Sequence, residues 1–148
     1  MDLTGKKAIP APRDVVWEKL RDADVLKASI TGCEDLKWES DDTLAAIVKA
    51  KVGPINAKFK GRIVLSNLKP PESYTIAGEG QGGVSGFAKG KADVKLVETG
   101  DGCELVYTAK ATVGGKIAQL GARLLNNVAK KMADDFFEGF VAHLTKAD

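Results

Sequence analysis

The chain has 148 residues, a length typical of one domain that buries a substantial core. Its composition, 44% hydrophobic and 28% charged, is ordinary for a globular protein, and a net charge of +2 argues against general affinity for nucleic acid. The N-terminus has no apolar core for a signal peptide, and no run of about 18 apolar residues could span a membrane. We therefore predict one cytoplasmic domain over residues 1–148, in which Cys33 and Cys103 are reduced thiols.

The first elements in the chain are predicted to be a strand and two short helices. Residues 2–9 form the strand, and Pro12 suits the first turn of a helix because its missing N–H costs nothing there. Asp22 is a candidate cap for the second helix, which Thr31 and Gly32 close.

A run of hairpin-linked strands follows. The predicted strands are 36–39, 44–52, 55–65, one beginning near Tyr74, 87–97 and 103–113. In 55–65 apolar and polar residues alternate, which indicates a half-buried strand with a basic outer face. Consecutive hairpins favour an antiparallel sheet.

The inward positions of these strands mix large and small side chains. Phe59, Ile76 and Tyr107 are large. The small residues are Ala57, Gly61, Gly78, Gly80, Ala109 and Ala111. Small inward residues either let a sheet curve strongly or also leave an apolar void, which is the usual form of a small-molecule site. The sequence leaves both interpretations open.

The stretch 78–83 formally matches the dinucleotide-binding pattern G-x-G-x-x-G. A nucleotide site would need a helix to begin at the last glycines, whereas the residues that follow alternate like a strand. We interpret 80–86 as a wide, flexible hairpin that could gate the mouth of a cavity.

Other reactive side chains form no recognisable catalytic or metal-binding pattern. His143, the only histidine, is predicted to lie on the surface near a helix C-terminus. Glu79 either lines a cavity or faces solvent. The predicted outward face carries the basic residues Lys49, Lys51, Lys58, Lys60 and Arg62. They either provide solubility and protect the sheet edge, or attract an anionic membrane or an acidic partner.

The last predicted element is a long amphipathic helix over 114–144, with apolar residues three and four apart. Its first half, from Ile117 to Val128, faces the small residues of the sheet and is the candidate cavity wall. Its second half carries larger aromatic residues and is predicted to pack as solid core against Trp17.

Several motifs in this order resemble the CoxG family of carbon monoxide dehydrogenase subunits, over nearly the whole chain. They are Ile9-Pro-Ala-Pro12 with Val16-Trp17, Gly32-Cys-Glu34, Val52-Gly-Pro54, Gly78-Glu-Gly-Gln-Gly-Gly83, Gly86-Phe-Ala-Lys-Gly90, Val113-Gly-Gly115 and Ala118-Gln-Leu-Gly121. The sequence departs from the family pattern at Thr31, where relatives usually carry proline, and at Ala122, where serine is common.

The resemblance implies an α+β helix-grip fold of the START-like (SRPBCC) superfamily. In this fold a curved antiparallel sheet of about seven strands wraps a long C-terminal helix, two short helices follow the first strand, and hydrophobic ligands bind between sheet and helix. The family is associated with membrane recruitment of molybdenum-containing carbon monoxide dehydrogenases, and quinone binding is a proposed role. Many relatives carry a C-terminal anchor, and this sequence ends at Asp148, so we expect that such an anchor is either absent or was removed.

From these observations we predict a non-catalytic carrier for a hydrophobic small molecule such as a quinone or prenyl lipid, with no cofactor required. The predicted ligand-binding wall is Ile55, Ala57, Phe59, Ile76, Gly78, Gly80, Phe87, Tyr107, Ala109, Leu120, Leu124 and Val128. Phe87 and Tyr107 are candidates to contact a flat ring, and Tyr107 to donate a hydrogen bond to a carbonyl.

Two alternative functions stay open. The chain could recruit a dehydrogenase to the inner face of the cell membrane without carrying ligand. It could also be a small enzyme of the cyclase or hydratase kind, with Glu79 and Tyr107 as its acid and base candidates.

Overall fold

Seven antiparallel strands form one sheet in residues 1–145, the part of the chain that the computed structural model describes. The strands are β1 (Asp2–Ile9), β2 (Cys33–Trp38), β3 (Thr43–Val52), β4 (Ile55–Lys69), β5 (Ser73–Gln81), β6 (Phe87–Thr99) and β7 (Gly102–Gly114). The helices are α1 (Arg13–Leu20), α2 (Ala23–Ser29) and α3 (Ala122–Thr145). The predicted order of elements is confirmed. Residues 146–148 of the predicted domain lie outside the described residues.

The sheet has the order β1-β7-β6-β5-β4-β3-β2, so the first two strands of the chain occupy its opposite edges. β4 continues to Lys69, beyond the predicted end at Leu65, and pairs with β5 down to Ser73. β2 begins at Cys33, three residues before the predicted start, because an irregularity between Cys33 and Asp35 lets both residues pair with β3.

The two short helices begin where the sequence predicts. α1 follows Pro12 directly, and its side chains Val16, Trp17 and Leu20 are buried. At the start of α2, the Asp22 carboxylate accepts hydrogen bonds from the backbone N–H groups of Asp24 (2.9 Å) and Val25 (3.3 Å). These bonds satisfy donors that a helix N-terminus otherwise leaves free.

One continuous core lies between α1, the second half of α3 and the sheet. Its fully or nearly fully buried side chains include Ile9, Val16, Leu96, Leu105 and Phe140. Trp17 meets Tyr74 edge-on at 5.5 Å between ring centroids, and burial raises the pKa of the Tyr74 hydroxyl. A smaller cluster beneath α2 contains Leu26, Leu36 and Leu44.

The prediction of one closing helix over 114–144 is wrong for the residues before Ala122. β7 runs to Gly114, a short 3-10 helix spans Lys116–Leu120, and α3 begins only at Ala122. Gly115 (φ 79°) and Gly121 (φ 95°) have left-handed backbone conformations, which interrupt a regular helix on both sides of the short segment. The 24 residues of α3 are roughly 36 Å long.

The two halves of α3 pack differently, as the sequence predicts. In the second half, Phe140 is fully buried and stacks on Phe136, with 5.9 Å between ring centroids. Gly139 lies so close to α2 that a Cβ added there would be 3.4 Å from Cα of Ser29. The first half covers open space above the sheet.

Candidate functional site

A cavity of about 400 Å³ lies between the first half of α3 and the face of the sheet turned toward it, here called the inner face. Almost all of its exposed wall is apolar. The apolar wall residues from the sheet and from the residue that follows α2 are Ile30, Ala46, Val48, Ala50, Val52, Phe59, Ile63, Ala88, Ala111 and Val113. The remaining apolar side chains are Met1, Ile117, Leu125, Val128, Ala129 and Met132. Volume and chemistry are those of a site for a small hydrophobic molecule.

The floor of the cavity is peptide backbone, because glycines from three strands meet there. Gly61 of β4 pairs with Gly80 of β5, and Gly78 of β5 pairs with Gly90 of β6. At Gly61 the neighbouring backbone comes so close that an added Cβ would lie 1.7 Å from the carbonyl oxygen of Glu79. The glycines therefore allow both the close strand approach and the open floor, which agrees with the interpretation that the small residues also leave an apolar void.

Three charged residues border the cavity beside these glycines: Arg62, Glu79 and Lys89. Successive side chains of a strand point to opposite faces, so the alternation that turns Gly61, Gly80 and Gly90 inward turns these three outward. All three are exposed. The cavity itself therefore offers apolar side chains and backbone to a ligand.

Four of the twelve predicted wall residues line this cavity: Phe59, Gly78, Gly80 and Val128. Four others lie at the end where β3 turns into β4. Leu120 and Leu124 pack there on Gly53, with Leu124 Cδ2 only 2.9 Å from the position of an added Cβ. Ile55 and Ala57 begin β4 beside this turn, and Ala57 is buried.

Three more predicted residues, Ile76, Tyr107 and Ala109, lie outside the cavity wall toward the solid core. Ile76 and Tyr107 pack against that core, and the Tyr107 ring lies 5.5 Å from Phe137 and covers Gly5 of β1. Partial burial raises the pKa of the Tyr107 hydroxyl, and the nearby Asp134 carboxylate adds to this effect.

Phe87 lies on the opposite, outer face of the sheet. It pairs with Gly114, and its ring lies where a Gly114 side chain would be. The next residue, Ala88, lines the cavity, and alternation therefore turns Phe87 away from it.

The wall residues that sequence reasoning missed come mostly from β3 and α3. Ala46, Val48 and Ala50 alternate along the predicted strand 44–52, so their common face was readable. Leu125 and Met132 of α3 belong to the apolar stripe that the helical spacing defines.

The predicted basic residues of the outer face are partly neutralised. Glu34 bridges Lys49 and Lys58, each at 3.2 Å, and the hydrogen bonds from Lys58 and then Lys49 lower the pKa of this carboxyl. Arg62 contacts both carboxylate oxygens of Glu39, at 2.6 and 3.4 Å. Lys51 and Lys60 form no salt bridge within residues 1–145.

Other sequence features have structural roles. His143 is exposed, as predicted, and its Nδ1 lies 2.7 Å from the carbonyl oxygen of Gly139. Cys33 and Cys103 form no disulfide with each other, and burial raises the pKa of both thiols. Among residues 1–145, no three His, Cys, Asp or Glu side chains are grouped to hold a metal ion.

The hairpin predicted over 80–86 contains a short 3-10 helix, Gly83–Ser85, with Val84 91% exposed at its tip. The chain then enters β6, so the dinucleotide pattern lacks the helix it needs. None of the helices described up to Thr145 is both long and apolar enough to cross a membrane.

A curved antiparallel sheet held against a long C-terminal helix, with an apolar cavity between them, defines the helix-grip fold, which binds hydrophobic ligands. The sequence matches the family described as the CoxG subunit of carbon monoxide dehydrogenase over residues 5–145. The chain therefore belongs to the CoxG family.

Solved structures support the fold. A conserved protein from Geobacillus kaustophilus is 31% identical, with a TM-score of 0.92 over 99% of this chain and 96% of that one. Ara h 8.0201 (12% identity, TM-score 0.68, 99% and 99% covered) and the aromatase/cyclase ZhuI from a Streptomyces species (13%, 0.65, 97% and 92%) share the fold. A comparison with proteins of curated function finds no match.

Proposed function

We propose that this protein is a non-catalytic carrier that holds a hydrophobic small molecule in the cavity beneath the first half of α3. The observation that carries the proposal is the cavity of about 400 Å³ with its almost wholly apolar wall. A tightly packed core would leave few voids larger than a water molecule. An apolar cavity of this size is therefore suited to a ligand that brings its own hydrocarbon surface.

The chemistry of the wall suggests which part of the ligand it holds. No charged side chain turns inward among the described wall residues, so a buried carbonyl would meet few donors. A prenyl quinone or similar lipid would place its hydrocarbon chain in the cavity and its polar group at the mouth. Membership of the CoxG family supports a quinone as the ligand. It also supports a molybdenum-containing dehydrogenase of the carbon monoxide dehydrogenase type as the partner enzyme.

Two adjacent alanines of β3 provide a matched test. Ala46 lines the cavity, whereas Ala45 precedes it and lies on the other face. Organic extracts of the purified protein are analysed by mass spectrometry, and a short-chain prenyl benzoquinone is titrated against tryptophan fluorescence. We expect Ala46→Leu to weaken quinone binding about tenfold or more because it fills the wall, and Ala45→Leu to change it little. Protein that is always empty and never binds the quinone would refute the carrier function.

A second proposed role is peripheral contact with an anionic membrane. Lys51 and Lys60 support it, because both are exposed and neither forms a salt bridge in the described part of the chain, 1–145; each lysine near a lipid surface contributes about 1 kcal/mol. Flotation with vesicles that contain or lack phosphatidylglycerol tests it. Binding that is insensitive to both lipid charge and salt would contradict this electrostatic attraction.

The positions of Glu79 and Tyr107 favour binding over catalysis. Glu79 is exposed and turned to the outer face, and Tyr107 lies against Phe137 outside the cavity wall. An acid or base must reach a bound substrate within hydrogen-bonding distance, directly or through a water molecule. Glu79 and Tyr107 are the acid and base candidates for a cyclase-like reaction, so an activity unaffected by replacing both would exclude these two residues as its acid and base.

A further inference from the structure

The outer face of the sheet carries a second concave site, back to back with the cavity. It is a groove of about 420 Å³ across β4 to β7, here called the basic groove. Its charged members are Arg62, Glu79, Lys89, Lys91 and Lys110, around a floor of Val64, Ala77, Gly78, Gly90 and Thr112. Because Glu39 contacts Arg62, the positive charge of the groove comes from its three lysines, against the one carboxylate of Glu79.

Strand pairing places these side chains in two rows across the sheet. The first row is Arg62, Glu79, Lys89 and Thr112. The second row is Val64, Ala77, Lys91 and Lys110. Strands are about 4.8 Å apart, so each row is roughly 14 Å long, the length of an extended peptide of about four residues.

The lysines of the groove lack internal partners. Within residues 1–145, Lys89, Lys91 and Lys110 form no salt bridge, in contrast to Lys49 of β3 and to Lys58 and Arg62 of β4. Lys91 and Lys110 are also directly opposite each other, an arrangement that destabilises a strand pair. A bound anion between them would remove that repulsion.

We propose that the basic groove binds an extended acidic segment of a partner protein, with a carboxylate between Lys91 and Lys110. Charge complementarity supports an anionic occupant, and the shape of the site supports a narrow one. A flat lipid surface would contact only the rim of a concave groove, so the shape of the site opposes a membrane at this position. Glu79 in the first row and a net charge of only +2 oppose nucleic acid.

This inference is independent of the carrier function, because the groove and the cavity lie on opposite faces. The probe is a short acetylated and amidated peptide in which glutamate alternates with serine, and its control has glutamine at each glutamate. Binding is measured by calorimetry at about 0.01 M salt, where the Debye length is about 30 Å, and again at about 0.1 M. We expect binding of the glutamate peptide only, weakened by salt.

Two double variants remove the same charge from different parts of the outer face. Lys91→Gln with Lys110→Gln alters the groove, whereas Lys51→Gln with Lys60→Gln lies outside it. We expect the groove variant to bind the peptide about tenfold more weakly or worse, and the control variant to change binding by less than about twofold. The groove variant is expected to unfold at no lower temperature than the wild type, since it removes a like-charge pair.

Three results would overturn the proposal. The first is that the peptide does not bind the wild type at the lower salt concentration. The second is that both double variants weaken its binding equally. The third is that phosphatidylglycerol vesicles or inorganic phosphate bind through Lys91 and Lys110 while the peptide does not. Quinone binding is measured in the same samples, so a failure of the groove proposal is distinguishable from a failure of the carrier function.

Discussion

The unequal packing along α3 leads to a quantitative prediction for two truncations in one helix. Phe140 is fully buried in solid core, so Phe140→Ala should lower the free energy of unfolding by about 3–5 kcal/mol. Leu125 is partly exposed and faces space that is already open. Leu125→Ala therefore loses only part of the transfer free energy of one leucine and makes no new void. It should lower the free energy of unfolding by only about 1 kcal/mol.

Urea unfolding at constant temperature measures both changes, and an unchanged slope shows that they act on stability alone. In a chain of about this size each kcal/mol shifts the melting temperature by about 2–4 °C, so Phe140→Ala should melt roughly 6–20 °C lower. The experiment uses extracted, ligand-free protein, because a bound ligand stabilises the folded state. Equal losses for both variants would show that the first half of α3 is packed as tightly as the second, and would refute the cavity.

The remaining predictions concern the sheet and its charges. Gly61→Ala should lower the free energy of unfolding by about 3 kcal/mol or more, because the new Cβ would meet a β5 carbonyl oxygen at 1.7 Å. Gly78→Ala should lower it by about 1 kcal/mol or less, because no neighbouring atom is nearer than 3.7 Å. Equal losses for the two variants in chemical unfolding would contradict this prediction. The pKa of Glu34 is lowered in the folded protein by Lys58 and Lys49, so its contribution to stability is present above pH 4.5 and is lost as the pH falls through the folded pKa. The stability difference between wild type and Glu34→Gln should therefore shrink below pH 4.5, and a difference that stays constant down to pH values below the folded pKa would exclude the proposed linkage.

The fold was largely readable from the sequence because its patterns are local. Alternation along β4 identified both the strand and its inner face, and Asp22 marked the start of α2. The start of α3 was not readable in the same way. The apolar spacing continues through the segment before Gly121, and only the left-handed conformations of Gly115 and Gly121 show that this segment is a separate short helix.

The sequence shows which side chains of a strand face inward, but it does not show which of these line the cavity. Alternation turns both Phe59 and Tyr107 inward, yet Phe59 lines the cavity whereas Tyr107 packs on Phe137. Which inward residues meet open space depends on where α3 leaves the sheet, and that is a tertiary property. Phe87 differs for a local reason, since the turn before it sets the phase of β6 and places Ala88 inward.

The order of strands in the sheet also affects how the chain can fold. β1 pairs only with β7, so Asp2 finds its partner Lys110 more than a hundred residues later. During synthesis β1 therefore cannot pair with β7 until nearly the whole chain has been made. Such distant pairings must overcome a large loop-closure entropy and slow folding. A nascent chain that stops before β7 leaves β1 without a neighbour and the sheet with a different open edge, so this protein should need close to its full length before it folds.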